Sequence, residues 1–314
     1  MIVKIDTTKL VGYIFSLEPM KKKRVANYGL SLPLIYARVI FICFVLAGFF
    51  ACSRGTKQAS LTVAGSTSIQ PFADQWAEVF MHKNPGKIIN VQGGGSSAGI
   101  QAALSGAAQI GMSSRDLKRE EKVLTEFVVA WDGLAIIVHP TNPIENLTLE
   151  ATRQIFAGVI TSWRQVGWLD KAIHVVTREE GSGTRGAFQE MVMGRTRIGK
   201  KAIVEDSNGT VREVVANDPY AIGYISLGLI NERVKAVSLD GFEPRMENVI
   251  SRKYQLVRPF LLLTSGAPQG LAAAFIQFVL SEEGQTLIGK QGLIPGRLVR
   301  QEKKMTSEEE SWIN

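Results

Sequence analysis

The chain has 314 residues, 45% of them hydrophobic, so it is long enough to bury one large core or two ordinary ones. Its formal net charge is +7, but residues 1–51 hold seven Lys or Arg against two Asp or Glu, which leaves +2 for residues 52–314. This near balance removes any electrostatic case for nucleic-acid binding.

The N-terminal segment, residues 1–51, has the pattern of an export signal. The basic cluster Lys21–Arg24 precedes a run of 13 residues without charge, from Val39 to Ala51. That run suits the apolar part of a signal peptide and is short for a membrane span, which needs roughly 20 apolar residues. Ala51 stands directly before Cys52, which resembles a bacterial lipoprotein signal and predicts lipidation of Cys52. A plain membrane anchor or a plain secretory signal is the alternative.

Further segments near the two ends are predicted to lie outside the folded body. Met20 directly precedes the basic cluster, so residues 1–19 fit an upstream extension from a misassigned start. Residues 52–60 are predicted to form a tether. Residues 301–314 are charged and lack periodicity, so they are predicted to form a disordered tail. The chain has 2 cysteines, and neither lies after residue 52, which excludes a disulfide from the mature body.

Strand-like and helix-like stretches alternate along the rest of the chain. The patterns predict strands at 61–64, 88–91, 110–112, 134–138, 173–176, 221–225, 234–239 and 257–264. They predict helices at about 72–80, 100–104, 118–127, 149–157, 186–192, from 210, and at 270–280 and 282–289. Such alternation is typical of the α/β class.

Loops rich in Ser, Thr and Gly follow four of the predicted strands. They lie at residues 65–68, 93–99, 113–116 and 177–185. Ligands of open α/β sheets bind beyond the carboxyl ends of strands, where a following helix also offers unpaired N–H groups to an anion. Four such loops at one edge would surround a small anion with neutral donors.

The fourth loop carries the strongest local pattern for anion binding. Gly181 and Gly183 allow the backbone to approach a ligand closely, and Ser182 and Thr184 add hydroxyl donors. Arg178 supplies a guanidinium that can grip a tetrahedral oxyanion. The alternative for this loop alone is an N-capped turn with surface charge.

Six motifs in a fixed order resemble the PstS family, the phosphate-binding proteins of bacterial phosphate ABC transporters. The motifs are residues 64–71, 93–99, 113–117, 155–158 with Trp163, Arg178 with 181–184, and 221–224 with 227–228. The resemblance covers about residues 61–295. It implies an α/β, two-lobed periplasmic-binding-protein fold of type II, with the ligand cleft between lobe 1 (61–136 plus 256–300) and lobe 2 (137–255).

The resemblance also implies a function. The chain would be an extracytoplasmic lipoprotein, at the periplasm or cell surface, that captures inorganic phosphate and delivers it to an ABC permease and ATPase complex. It would not be an enzyme, and it would need no cofactor and no metal. Consistent with the last point, the three histidines His82, His139 and His174 lack the spacing of metal ligands.

Matching motif positions nominate site residues from all four loops. The residues implied to bind phosphate are Thr67 and Ser68, Ser96 with Ser97, Ser114 and Arg115, and Arg178 with Ser182, Gly183 and Thr184. Glu180 matches the family's acidic residue that orients the site arginine.

The third loop departs from the family pattern. Family members often place an Asp there, which accepts the proton that phosphate keeps and sulfate lacks. Arg115 occupies that position here, with Asp116 beside it. Either Asp116 supplies the acceptor or discrimination works otherwise, so sulfate and molybdate remain alternative ligands.

A second alternative is a serine hydrolase. Residues 95–99 satisfy the Gly-x-Ser-x-Gly pattern of a nucleophile elbow, with Ser97 as the nucleophile. Only His139 and His174 follow Ser97, whereas an α/β hydrolase normally places its histidine near the end of the chain. The hydrolase hypothesis also leaves the other three loops unexplained.

Overall fold

The computed structural model describes residues 59–296. The predicted signal segment (1–51), Cys52 with most of the tether, and the tail at 301–314 lie outside these residues. Among the residues described, no helix combines the length and the apolar character needed to cross a membrane.

Strands and helices alternate through this body. In chain order they are β1 (Ala59–Gly65), α1 (Gln70–Lys83), β2 (Lys87–Gln92), α2 (Ser96–Ser105), β3 (Ile110–Ser113), β4 (Thr125–Val138), β5 (Asn146–Leu147), α3 (Leu149–Ala157), β6 (His174–Arg178), α4 (Gly183–Phe188), β7 (Ile203–Glu205), α5 (Asn208–Asn217), β8 (Ala221–Ser226), β9 (Lys235–Leu239), α6 (Met246–Ile250), β10 (Val257–Thr264), α7 (Gly270–Leu280), α8 (Glu282–Gly289) and β11 (Ile294–Pro295).

Most of the predicted elements are confirmed, and α3 illustrates why. The Thr148 hydroxyl accepts a hydrogen bond from the Ala151 N–H at 3.0 Å, which satisfies one of the unpaired donors at the start of the helix. Gly158 ends the helix with a φ of 77°, a left-handed conformation that glycine adopts without a steric penalty. Local chemistry therefore sets both ends of this helix.

The prediction of a helix at about 118–127 is wrong. Only Arg119–Glu121 form a single 3₁₀ turn, and β4 begins at Thr125. The reason is tertiary: β4 pairs antiparallel with β10, Thr125 facing Thr264 at one end of the ladder and Gly133 facing Val257 at the other. Pairing with a strand this distant in sequence overrides the local helical pattern.

The strands follow the order β2-β1-β3-β10-β4-β8-β6-β7. The long strand β4 changes neighbours along its length. Residues 125–133 pair with β10, whereas residues 134–138 pair with β8, and the last three of these also with β9. β4 thus passes from one half of the molecule into the other.

Each half has its own core. In the first half, apolar residues of β1, β3 and β10 pack against α1, α7 and α8, with Trp76 and Phe260 fully buried. In the second half, α3 and α4 pack against β4 and β8 around Phe156, Phe188 and Tyr224. The molecule is therefore α/β and two-lobed, with residues near 133 of β4 at the junction. The residue boundaries given above for the lobes remain a prediction.

Candidate functional site

The three hydroxyl loops of the first half lie together. Strands β1, β2 and β3 run parallel, so the loops that follow them emerge at the same edge of the sheet. The Ser66 hydroxyl donates to Ser114 Oγ at 2.8 Å, and the Ser114 N–H donates to Ser96 Oγ at 3.0 Å. All three serines are buried. We call Ser66, Ser68, Ser96 and Ser114, together with Thr184 described next, the hydroxyl cluster.

The fourth loop, in the second half, closes over this cluster. Ser68 Oγ and Thr184 Oγ1 are 2.7 Å apart, and the Ser97 N–H donates to the Gly181 carbonyl at 3.1 Å. A Cβ at Gly183 would overlap Ser96 Oγ and would lie 2.6 Å from Ser114 Oγ. The absence of a side chain at Gly183 thus lets the two halves meet.

Arg178 brings a buried positive charge to the cluster. Its side chain is 1% exposed, and its Nη2 donates to Thr67 Oγ1 at 3.0 Å and to the Asp206 carbonyl at 2.9 Å. Its Nη1 is buried and has no hydrogen-bond partner among the described residues. A buried donor on a charged group is costly to leave unpaired, so this nitrogen calls for an acceptor.

The residue that orients Arg178 is Glu179, which corrects the prediction of Glu180. The Glu179 carboxylate accepts from Arg178 Nε at 2.8 Å and from Nη2 at 2.9 Å. The Glu180 side chain is exposed. The two neighbours follow the end of β6, where only one of them turns toward the guanidinium.

Arg115, predicted as a phosphate ligand, directs its side chain elsewhere. Its guanidinium donates to both carboxylate oxygens of Glu121, at 2.7 and 2.9 Å, and to the Asp116 carbonyl at 2.8 Å. The Asp116 side chain, proposed as the proton acceptor, is exposed. Neither side chain joins the hydroxyl cluster: Glu121 holds the Arg115 guanidinium, and the Asp116 carboxylate faces solvent.

Sequence reasoning missed a second arginine that does reach the cluster. Arg258, on β10, is 2% exposed and forms an ion pair at 2.8 Å with Asp132 on β4, which is completely buried. Arg258 Nη2 donates to Ser68 Oγ at 3.2 Å, and Nη1 donates to the Ser114 carbonyl at 3.2 Å. One signal was present: Arg258 is the single charge in the apolar strand Val257–Thr264.

A fifth loop, after β7, was also missed. The Asn208 side chain, at the start of α5, donates from Nδ2 to Ser68 Oγ at 2.7 Å. Its Oδ1 accepts from the Ser226 N–H at 3.3 Å. The apolar run at β7, residues 202–204, is only three residues long, which is too short to identify a strand, so the strand–loop–helix pattern was not recognised at this point.

Burial and the neighbouring charge of Arg178 shape the electrostatics of the site. Burial lowers the pKa of Arg258, the Asp132 carboxylate raises it again, and the positive charge of Arg178 lowers it further. Burial raises the pKa of Asp132, while Arg258 acts to lower it. The mutual repulsion of Arg178 and Arg258 would be relieved by an anion placed near both.

Ser182, predicted as a phosphate ligand, also has a local role. The Ser182 hydroxyl accepts from the Arg185 N–H at 3.2 Å and so caps α4.

Ser97, the nucleophile of the hydrolase alternative, is half-buried beside the fourth loop. The two histidines available to it have other partners, since His139 contacts Thr141 and His174 contacts Asp218. Within residues 59–296, no group of three His, Cys, Asp or Glu is arranged to hold a metal ion.

Comparison with known proteins places this geometry in context. Residues 52–283 match the family model described as a PBP superfamily domain. The phosphate-binding protein PstS of Bacillus subtilis is 35% identical over 251 residues, which cover 77% of this chain and 83% of that protein. The PstS of Borreliella burgdorferi is 29% identical over 273 residues, covering 82% of this chain and 98% of that one.

Solved structures give the same result. One is a crystal structure, with bound phosphate, of a Clostridium perfringens substrate-binding protein assigned to a phosphate ABC transporter. It is 42% identical, with a TM-score of 0.73, and the match covers 75% of this chain and 99% of that one. The crystal structure of an ABC-type phosphate transport receptor from Vibrio cholerae is 39% identical, with a TM-score of 0.65 and coverage of 74% and 99%.

Proposed function

This chain belongs to the PstS family of the PBP superfamily, and from that premise we propose that it captures inorganic phosphate outside the cytoplasm and delivers it to an ABC transporter. Members of this family are substrate-binding proteins rather than enzymes. We propose the same for this chain, with the phosphate held in the cleft between its two halves.

The observation that carries the proposal is the unpaired Nη1 of Arg178. This nitrogen belongs to a guanidinium that is 1% exposed, and the neighbouring Nη2 contacts Thr67. An oxygen of a tetrahedral oxyanion would give Nη1 a charge-assisted hydrogen bond, which is about twice as strong as a neutral one. The surrounding hydroxyls would then donate to the remaining oxygens.

We propose that the ligand-binding residues are Thr67, Ser68, Ser96, Ser97, Ser114, Arg178, Ser182, Gly183 and Thr184. The contacts between Ser68 and Thr184 and between Ser97 and Gly181 support a site shared by the two halves. Arg115 is no longer among the proposed ligands, because Glu121 occupies its guanidinium. Glu179 replaces Glu180 as the residue that orients Arg178.

Binding would close the molecule by bending at its junction. A ligand held by donors from both halves stabilises the closed arrangement, because it loses half its contacts when the halves separate. β4 crosses from one half to the other near Gly133, where it exchanges β10 for β8 as its neighbour. We expect the hinge motion to be concentrated there.

We propose that a lipid anchor helps delivery by keeping the protein near its permease. The PstS family works outside the cytoplasm, and a lipid on Cys52 would keep this chain at the membrane surface, beside the permease and its ATPase. This anchor rests on the sequence pattern before Cys52, which lies outside the described residues. Mass spectrometry of the protein exported by a bacterial host is the test, and an unmodified Cys52 thiol would remove the anchor.

The decisive experiment is calorimetric titration of the ligand-stripped full chain with phosphate, followed by competition with sulfate and molybdate. We expect saturable phosphate binding with one site per chain. Arg178→Ala should weaken it by about 1.5–3 kcal/mol or more, the scale of a hydrogen bond to a charged group. Arg164→Ala, at a guanidinium that is 74% exposed, is the control and should leave affinity unchanged.

The competition arms settle which oxyanion is preferred. Asp116 is exposed, so the acceptor predicted in the third loop lies away from the hydroxyl cluster. Sulfate that displaces phosphate at equal concentration would mean that this chain does not select by the ligand's proton. Tighter binding of sulfate or molybdate than of phosphate would overturn the assignment of phosphate as the ligand.

A further inference from the structure

The Asp132–Arg258 pair lies where the two halves join, directly beneath the hydroxyl cluster. Asp132 and Arg258 face each other in the β4–β10 ladder, at the end of the segment of β4 that pairs with β10. Asp132 Oδ2 accepts from Arg258 Nε at 2.9 Å, and Oδ1 accepts from the Ser226 hydroxyl at 2.8 Å. The carboxylate therefore fixes the position of the guanidinium, whose outer nitrogens reach Ser68 and Ser114.

The contacts of Ser68 fix the direction in which its hydroxyl donates. A guanidinium can only donate hydrogen bonds, so Ser68 Oγ accepts from Arg258 Nη2 at 3.2 Å. Ser68 Oγ also accepts from Asn208 Nδ2 at 2.7 Å, and this amide orientation follows from the Ser226 N–H, which donates to Asn208 Oδ1. A hydroxyl oxygen has two lone pairs, and both are now used. The proton of Ser68 is left to point at Thr184 Oγ1 or at a ligand.

Ser114 is arranged in the same way. Its Oγ accepts from the Ser66 hydroxyl at 2.8 Å and from Arg258 Nη1 at 3.4 Å. The Ser66 oxygen also accepts from the Ser68 N–H at 3.2 Å, which narrows the directions open to the Ser66 proton. With both lone pairs of Ser114 used, its proton is left to point at Ser96 Oγ, 3.4 Å away, or at a ligand on the side of the fourth loop.

We propose that Arg258 is a positioning residue for oxyanion binding: held by Asp132, it fills acceptor sites on Ser68 and Ser114, so both hydroxyls present protons to the ligand. An oxyanion oxygen without a proton can only accept, so a hydroxyl oriented as a donor binds it and one oriented as an acceptor repels it. This inference rests on the proposed function and assigns Arg258 and Asp132 to it.

The test is phosphate titration calorimetry on the full chain carrying Arg258→Lys, in the wild-type background and in Ser114→Ala. Lysine keeps the charge beside Asp132, but its single ammonium cannot reproduce the planar fork that reaches both hydroxyls. We expect Arg258→Lys to weaken phosphate binding by about tenfold in the wild-type background and by about threefold in Ser114→Ala. The smaller loss is expected because one of the hydroxyls that Arg258 orients is then absent.

A purely structural role for Arg258 predicts a different result. Arg258→Lys would then weaken phosphate binding by the same factor in the wild-type background and in Ser114→Ala. Such additivity would overturn the proposal. So would unchanged affinity in Arg258→Lys. Failure of the proposed function is distinguishable, because the wild-type chain itself would then show no phosphate binding.

A second variant removes the pair without stranding a buried charge. Asp132→Asn combined with Arg258→Gln leaves both positions neutral, and we expect phosphate affinity to fall by about thirtyfold or more. The matched control is Arg115→Gln with Glu121→Gln, which makes the same chemical change at a buried pair outside the cluster. It should change affinity by less than about threefold, and an equal loss in both double variants would contradict a specific role for Arg258.

Discussion

Two buried arginine–carboxylate pairs flank the hydroxyl cluster, and they differ in what else the arginine touches. Arg115 and Glu121 are six residues apart and pair within one loop, in a two-pronged contact that occupies both outer nitrogens of the guanidinium. Arg258 and Asp132 are 126 residues apart and pair across two strands. Asp132 contacts Nε and Nη2 of Arg258 through a single oxygen, and both outer nitrogens still reach the serines, Nη2 at Ser68 and Nη1 at Ser114.

The difference indicates that the spare donors of a buried arginine, and not its place in a motif, decide whether it can join the proposed binding site. Glu121 takes both outer nitrogens of Arg115 and keeps the Arg115 side chain in the loop, where the Arg115 stem packs near Gly186 of the second half. Arg258 gives only part of its donor set to Asp132. Arg178 follows the pattern of Arg258, because Glu179 takes Nε and Nη2 and leaves Nη1 unpaired.

The largest expected effect is on stability, at the deeper pair. Asp132→Asn leaves the Arg258 guanidinium buried without its anion, and breaking a buried pair in this way costs about 3–5 kcal/mol. Urea unfolding in phosphate-free buffer measures the loss of unfolding free energy. Glu121→Gln should cost roughly 1 kcal/mol in the same assay, the difference between a charged and a neutral hydrogen bond. Equal losses of unfolding free energy in Asp132→Asn and Glu121→Gln would mean that the two pairs do not differ in their contribution to stability.

The second prediction compares two glycines of α4: Gly183 faces the hydroxyl cluster, and Gly186 faces the Arg115 side chain. A Cβ at Gly183 would enter the hydroxyl cluster and overlap Ser96 Oγ, whereas a Cβ at Gly186 would lie 2.9 Å from Cδ of Arg115. Gly183→Ala should therefore hinder closure and weaken phosphate binding by about 1–3 kcal/mol, the usual cost of overpacking. In Gly186→Ala the new methyl group would contact the middle of the long Arg115 side chain, which can shift, so we expect a smaller loss of phosphate affinity.

Unfolding free energies provide the control for this prediction. Gly183 belongs to the second half and the serines it would strike belong to the first, so the overlap exists only when the halves are together. We expect Gly183→Ala to lower phosphate affinity in calorimetry while its ligand-free unfolding midpoint stays near that of the wild type. A matching loss of ligand-free stability would mean that the glycine is needed for folding rather than for closure.

These contrasts also indicate what the sequence was able to predict. The strand–loop–helix repeats and the cap at Thr148 are local, so the class of fold, most elements and four of the five loops followed from residue patterns. The choice of Glu179 over Glu180 depends on the turn after β6, and the pairing of Arg115 with Glu121 depends on a loop folding back. Arg258 reaches the cluster only because β10 lies beside β4, which no local pattern encodes.

The smallest expected effect is the pH dependence of the outer pair, and it isolates the charge on Glu121. The hydrogen bond from Arg115 holds the pKa of Glu121 below its ordinary value of 4.5, despite the opposing effect of burial. A carboxyl whose pKa is lower in the folded state contributes stability above its unfolded pKa, and it loses that contribution as the pH falls through the folded value. The difference in unfolding free energy between wild type and Glu121→Gln should therefore be constant from neutral pH to about 5.5 and shrink below about 4.5. A difference that stayed constant down to pH 3, about 1.5 units below the ordinary value, would mean that Glu121 acts through packing and not through its charge.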